Sequence, residues 1–252
     1  MNQIELKEFL DYKANQYEII DFITSDPIQI PHRFKQKEDV EIAGFLTASI
    51  AWGNRLSILK SANKMIALMD DSPYDFIINH KKSDLSIFEG FVHRTFNATD
   101  LTFFVRSLQN IYKNHQGLEN VLNSNKSSLQ HTIHDFKSIF FEIDHPQRTL
   151  KHVSDPLKGS AAKRLNMFMR WMVRSNTKGV DFGIWKHHLP AQLSIPLDVH
   201  TGNIARKLNL IRRKQNDSKT LWELDKKLRK FDPVDPVKYD YALFGLGIFE
   251  KL

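Results

Sequence analysis

Nine stretches of this chain carry apolar residues at helical spacing, and no stretch sustains the alternation of a half-buried strand. They fall at 4–20, 38–52, 57–69, 101–113, 129–141, 161–174, 199–210, 221–229 and 236–245. Between them stand Asp26-Pro27, Ser72-Pro73, Asn114-His115-Gln116-Gly117, Asp155-Pro156 and Asp232-Pro233. A residue ahead of proline is pushed out of helical geometry, so these points end one helix and open another. An all-α fold is predicted. No internal repeat or low-complexity linker divides the chain, so residues 1–252 read as a single helical unit. Within it an N-terminal helical part is expected to wrap a C-terminal one, giving two intimate subdomains with a groove between them. The 18 phenylalanines and 41% hydrophobic residues can fill such a core.

Charge narrows the partners. The whole chain is formally +7, while 13 Lys and Arg face only Asp155, Asp181 and Asp198 between Lys151 and Lys214. That region is therefore +10 and the remainder about −3. A localised basic region is the usual footprint of a polyanion partner, with a solvated basic surface as the plain alternative. No apolar run approaches a membrane span, and the charged, amphipathic start MNQIELKEFLDYK does not read as a secretory signal. The absence of cysteine excludes disulfides, thiolate zinc sites and iron–sulfur clusters, and suits a cytoplasmic protein. His187-His188 is no metal site, because neighbours on a regular element point apart. No cofactor is expected.

Two positions inside the basic region invite chemistry. Ile195-Pro196 reads as extended, which leaves Asp198 to cap a helix whose apolar stripe includes Ile204 and Leu208. The carboxylate then sits at the positive end of a helix dipole, as an ordinary cap or as an anion placed against a developing cation. In Ala161–Arg174, Leu165, Phe168, Met169 and Met172 form one apolar face, with Lys163, Met167, Arg170 and Arg174 opposite. Ser160 is the expected cap of this helix, which puts Lys163 in its first turn beside Arg164. Dipole and neighbour both disfavour an ammonium there and favour a nucleophilic amine; a solvated or phosphate-binding lysine is the bland reading. Trp52 and Asn54 follow a buried-looking helix and read as core or as base-pocket lining. Asp240 is a third candidate for that pocket. Asp232 and Asp235 read as helix caps or terminators.

Leu197-Asp198-Val199-His200 after a proline, followed by Ile204-Ala205-Arg206-Lys207-Leu208, resembles the catalytic segment of the helix-hairpin-helix/Gly-Pro-Asp DNA glycosylases. In that superfamily the aspartate caps a helix, and bifunctional members carry a lysine at the start of the helix after the hairpin, the place Lys163 fits. The separation of 35 positions is similar to the archaeal 8-oxoguanine glycosylase branch. The hairpin departs from the pattern, since Asp155-Pro156-Leu157-Lys158-Gly159-Ser160 holds one glycine where two are usual. Asp181-Phe182-Gly183-Ile184-Trp185, Asp235 to Gly247, Ala51-Trp52-Gly53-Asn54 and Ser72-Pro73-Tyr74-Asp75-Phe76 also resemble an uncharacterised bacterial family of unknown function, itself glycosylase-like.

The resemblance implies a DNA glycosylase acting on a damaged base such as an oxidised purine, with lyase activity where Lys163 forms a Schiff base. Lys163 and Asp198 are its expected catalytic pair, facing one groove. Lys158, Gly159, Arg164, Arg170, Arg174, Arg206 and Lys207 are its expected DNA contacts. The competing expectation is a non-catalytic nucleic-acid-binding protein that grips DNA through Arg170, Arg174, Arg206 and Lys207.

Overall fold

The computed structural model describes residues 1–123 and 128–250, and these are mostly helical, as the periodicity predicts. They divide into two compact units. One comprises Ser25–Ser127 and His131–Ser154; the other comprises Met1–Thr24, Ser128–Gln130 and Asp155–Leu252.

The core of the first of these is aromatic. Phe45 of the helix Lys37–Ser49 stacks on Phe104 of Ala98–Asn114 at 5.9 Å, and meets Phe136 and Phe140 of Leu129–Phe140 at 5.7 and 5.5 Å. Asn97 opens the Ala98–Asn114 helix by accepting from Thr99 N at 3.1 Å, and Asp100 closes the capping box on Asn97 N at 3.0 Å. Two features differ from expectation. Val92–His93 pairs antiparallel with Phe96–Asn97, strands too short to display a period. Ser72-Pro73 opens a helix as expected, but that helix, Pro73–Asn79, is not among the nine periodic stretches; the proline sits in its first turn, where a missing N–H costs nothing.

The other unit holds the basic region. Its helices are Gln3–Tyr17, Lys163–Val173, Val199–Lys207, Ser218–Phe231 and Tyr239–Ile248. The first helix packs along Tyr239–Ile248, which also packs on Val199–Lys207. Leu6, Leu10 and Ala14 thereby share one core with Ala242, Leu243 and Leu246. This approach requires a glycine. A Cβ added at Gly245 would stand 2.5 Å from Tyr17 Cγ, well inside contact distance. Tyr17 is held in turn by Phe249, stacked at 5.4 Å, and by a hydrogen bond to Glu250. Gly245→Ala is thus expected to lower stability by about 1–3 kcal/mol, the usual cost of overpacking. An unchanged melting temperature would mean that the Tyr17 ring swings aside freely.

Candidate active site

Asp198 is the N-cap of Val199–Lys207, as Ile195-Pro196 predicts, and its Oδ1 accepts from Thr201 N at 2.9 Å. The extended approach to it is pinned from the Ser218–Phe231 helix and from Asn216 just ahead of that helix. Ile195 N donates to Asp225 at 3.1 Å, Arg229 holds the carbonyls of Ala191 and Leu193, and Asn216 Nδ2 donates to Asp198 O at 2.7 Å. Burial pushes the Asp225 carboxyl up to about 6 against the opposing pull of Arg229. None of these anchors is visible as a local pattern.

Lys163 is the first residue of its helix, half-buried. The expected Ser160 cap is not the cap. Ser160 Oγ accepts from Ala162 N at 3.0 Å, and the residue bridges to Asp217, while Ala162 itself holds the cap position at φ 45°, ψ 38°. A buried alanine in the left-handed region costs about 1–2 kcal/mol, and here it sets the direction in which Lys163 leaves the backbone.

The polar face expected for this helix is buried. Met167, Arg170 and Arg174 are 8%, 3% and 5% exposed, so the helix is enclosed from Leu165 to Val173. Arg170 and Arg174 are therefore not phosphate contacts, and that expectation is corrected. Arg174 spends its donors on Asp235 (Nε at 3.0 Å to both oxygens, Nη2 at 2.8 Å), Glu18 (2.6 Å) and Asp181 (2.7 Å). Arg170 pairs with Asp240 and lies 3.4 Å from Asp181. The Tyr241 ring lies under both guanidinium groups, at 4.4 and 5.4 Å. Asp235 holds the N-cap position of the 3-10 turn Pro236–Lys238, as expected, but its carboxylate goes to Arg174 and not to that turn; Asp232 accepts from Val234 N and Asp235 N.

The Asp181-Phe182-Gly183-Ile184-Trp185 motif explains how a carboxylate reaches both arginines. Phe182 N and Trp185 N donate to Trp171 O and Met172 O at 2.8 and 3.0 Å, which straps the motif to the end of the helix. Gly183 turns it at φ +57°, where a Cβ would meet Arg174 O at 2.9 Å.

Lys163, Met167 and Arg170 line one cleft with Asp198, Asp240, Pro196, Phe22, Tyr241 and Phe244, all in this unit. Its volume is about 30 Å³, room for about one water molecule. Among the described residues the Lys163 amine has no hydrogen bond or ion pair, and the buried Tyr241 hydroxyl has no partner. Asp240 is the unusual acid. Burial raises its carboxyl to about 6, Arg170 and Lys163 draw it down, and Asp198 and Asp181 push it up. Lys163 thus shares its cleft with two carboxylates, while the like charge of its neighbour Arg164 is not among the lining groups.

The remaining sequence candidates are dispersed. Lys158 and Gly159 sit on the exposed turn after Asp155, whose chain is tied down by Ser218 N donating to Gly159 O at 3.0 Å. Lys207 is exposed. Arg206 donates to Arg213 O and Lys214 O at 2.7 Å and to Asn216 at 2.5 Å, so it mostly holds a loop. Arg164 is half-buried, and burial lowers its guanidinium to about 10. Trp52 and Asn54 belong to the other unit. Trp52 is half-buried, stacked on His152 at 6.0 Å and edge-on to His93 at 5.2 Å, while Asn54 caps Arg55–Ala67 through Ser57 N at 3.2 Å. Among the described residues no group of three or more His, Asp or Glu has the arrangement of a metal site, and no helix is long and apolar enough to cross a membrane.

Fold and site together define a mostly helical protein with a lysine and two carboxylates gathered in one small cleft. The chain belongs to the family described as protein of unknown function (DUF2400), whose model matches residues 26–249. No curated protein and no solved structure matches it.

Proposed function

We propose that this protein is a DNA glycosylase with AP-lyase activity, acting in the cytoplasm on a damaged base such as an oxidised purine. The observation that carries this reading is the meeting of Lys163 and Asp198 in one cleft across 35 positions of chain. One stands at the first residue of a helix behind a strained alanine and the other caps a second helix, so both are held by backbone rather than by flexible loops. Lysine and carboxylate together suit displacement at a sugar carbon. With the nucleotide flipped from the duplex, the Lys163 amine attacks C1′, and the glycosidic electron pair leaves with the base, which takes up a proton. Asp198 faces the positive charge that develops on the sugar. Ring opening gives an iminium, and loss of the C2′ proton from it expels the 3′ phosphate. A cleft of about 30 Å³ must widen to admit a nucleotide, and Phe22, Met167 and Phe244 are the walls that would turn.

A non-catalytic nucleic-acid-binding role is less well supported, because two of its four gripping residues, Arg170 and Arg174, are consumed in ion pairs. Lys158, Lys207 and the exposed turn at Gly159 remain for phosphate contact.

The test is borohydride trapping on duplexes that carry single damaged bases, with release of the base measured in parallel. Wild type should form an adduct on at least one of them. On that substrate Asp198→Asn should slow base release about 100-fold or more, in the range seen when one electrostatic group is removed. The amide still caps the helix, so the melting temperature should stay near wild type. Full activity in Asp198→Asn would reduce the aspartate to a helix cap.

A further inference from the structure

Schiff-base chemistry needs Lys163 as a free amine, and the cleft must hold a group that takes its proton. It offers two, Asp198 and Asp240. Asp198 has Oδ1 on Thr201 N and its carbonyl on Asn216, and it is half-exposed. One oxygen of that carboxylate is committed to the first turn of its own helix. Asp240 differs in each respect. It is 5% exposed, it comes from the Tyr239–Ile248 helix, and it pairs with Arg170, which lies seven residues after Lys163 on the same helix face. Arg170 is itself anchored to Asp181, so the floor of the cleft is fixed from below.

We propose that Asp240, not Asp198, is the proton acceptor for Lys163, and that Arg170 positions it. This rests on Lys163 being the nucleophile. In the step, an N–H bond of the Lys163 ammonium breaks and an O–H bond forms on the Asp240 carboxylate. Ammonium and carboxylate become amine and carboxylic acid with no change in net charge, and Asp198 is left as an anion for the sugar. The charges facing Asp240 are Arg170 and Lys163 from one helix, Asp198 from the next and Asp181 from the strap, with Arg174 and Glu18 behind Asp181. His200 packs against Phe244 on the following turn, at 6.4 Å between rings. A carboxyl with its midpoint near 6 is mostly ionised at neutral pH, and so is able to accept.

The experiment uses a duplex with a preformed abasic site, whose aldehyde reacts with an amine without any base being released. Borohydride trapping rates are measured from pH 5 to 10 for wild type, Lys163→Gln, Asp198→Asn, Asp240→Asn and Asp240→Glu. Equal trapping by wild type and Lys163→Gln would refute the nucleophile itself. If wild type traps through Lys163, Asp240→Asn should be slower by tenfold or more at pH 7 and should recover toward wild type at the alkaline end of the range, where hydroxide takes the proton in place of Asp240. Any slowing in Asp198→Asn should persist at high pH, since the charge lost there faces the sugar and not the amine. A wild-type rate at pH 7 in Asp240→Asn, or a loss that high pH does not restore, would overturn the proposal while leaving Lys163 in place. If Asp240→Asn does not fold, Asp240→Glu and the wild-type profile decide. Trapping that rises with pH through about 6 in wild type, with that midpoint moved in Asp240→Glu, supports the proposal; an identical midpoint in both refutes it.

Discussion

Arg174→Ala should destabilise the protein by about 3–5 kcal/mol, a large fraction of the roughly 5–15 kcal/mol that holds an ordinary domain folded. The side chain is 6% exposed, and its partners Glu18 and Asp181 are at 6% and 0%. Removing the guanidinium leaves Asp181 and Glu18 buried with only their 3.4 Å pairs to Arg170 and Lys178, and strips the partly exposed Asp235 of its bidentate partner, so the cost is under-compensated buried charge. The pair's net worth is smaller than this truncation suggests, since desolvation already offsets much of its attraction. Arg174→Lys should rescue little. One ammonium cannot reproduce a fork that meets Asp235 through two nitrogens while a third reaches Glu18 and Asp181. Chemical denaturation of both variants checks this, and a loss under about 1 kcal/mol for the alanine would mean that the carboxylates find water or protons easily.

Lys163→Gln is expected to abolish the covalent adduct and to lower strand cleavage by about a thousandfold or more, because no other nitrogen replaces the nucleophile. The fold should hardly notice. Glutamine and lysine have similar helix propensity, and the lysine amine makes no hydrogen bond or ion pair among the described residues. A melting temperature close to wild type, with DNA binding kept, separates lost chemistry from lost structure. An adduct of undiminished yield would move the reaction to another lysine. With no adduct for wild type on any lesion or abasic site, the fold would be carrying a site without this chemistry.

Helices are the most legible part of this sequence, because their signals are local. Periodicity located every long helix within a few residues, and Pro196 followed by Asp198 marked a cap that the structure contains. Asn97 with Asp100, and Asn2 with Glu5, are capping boxes that span three residues and can be read the same way. Short range also bounds the method. Ser160 looked like a cap by residue type, yet Asp217 and Ala162 N engage it, and the helix starts without one. Strands of two residues, Val92–His93 and Phe96–Asn97, give no period to detect.

The site divides along the same line. That Asp198 begins a helix was decided by the sequence itself, through cap chemistry acting over three residues, and apolar spacing alone placed Lys163 in the first turn of another. What surrounds them was decided by tertiary structure. Arg170 and Arg174 have the spacing of an exposed basic face, and they are buried because Asp240, Asp235 and Glu18 arrive from 70, 61 and 156 positions away to neutralise them. No hydrophobicity pattern within one helix contains that information. A guanidinium enters the interior only where the whole fold delivers carboxylates to it, and one of those carboxylates, Asp240, lines the cleft that Lys163 and Asp198 share.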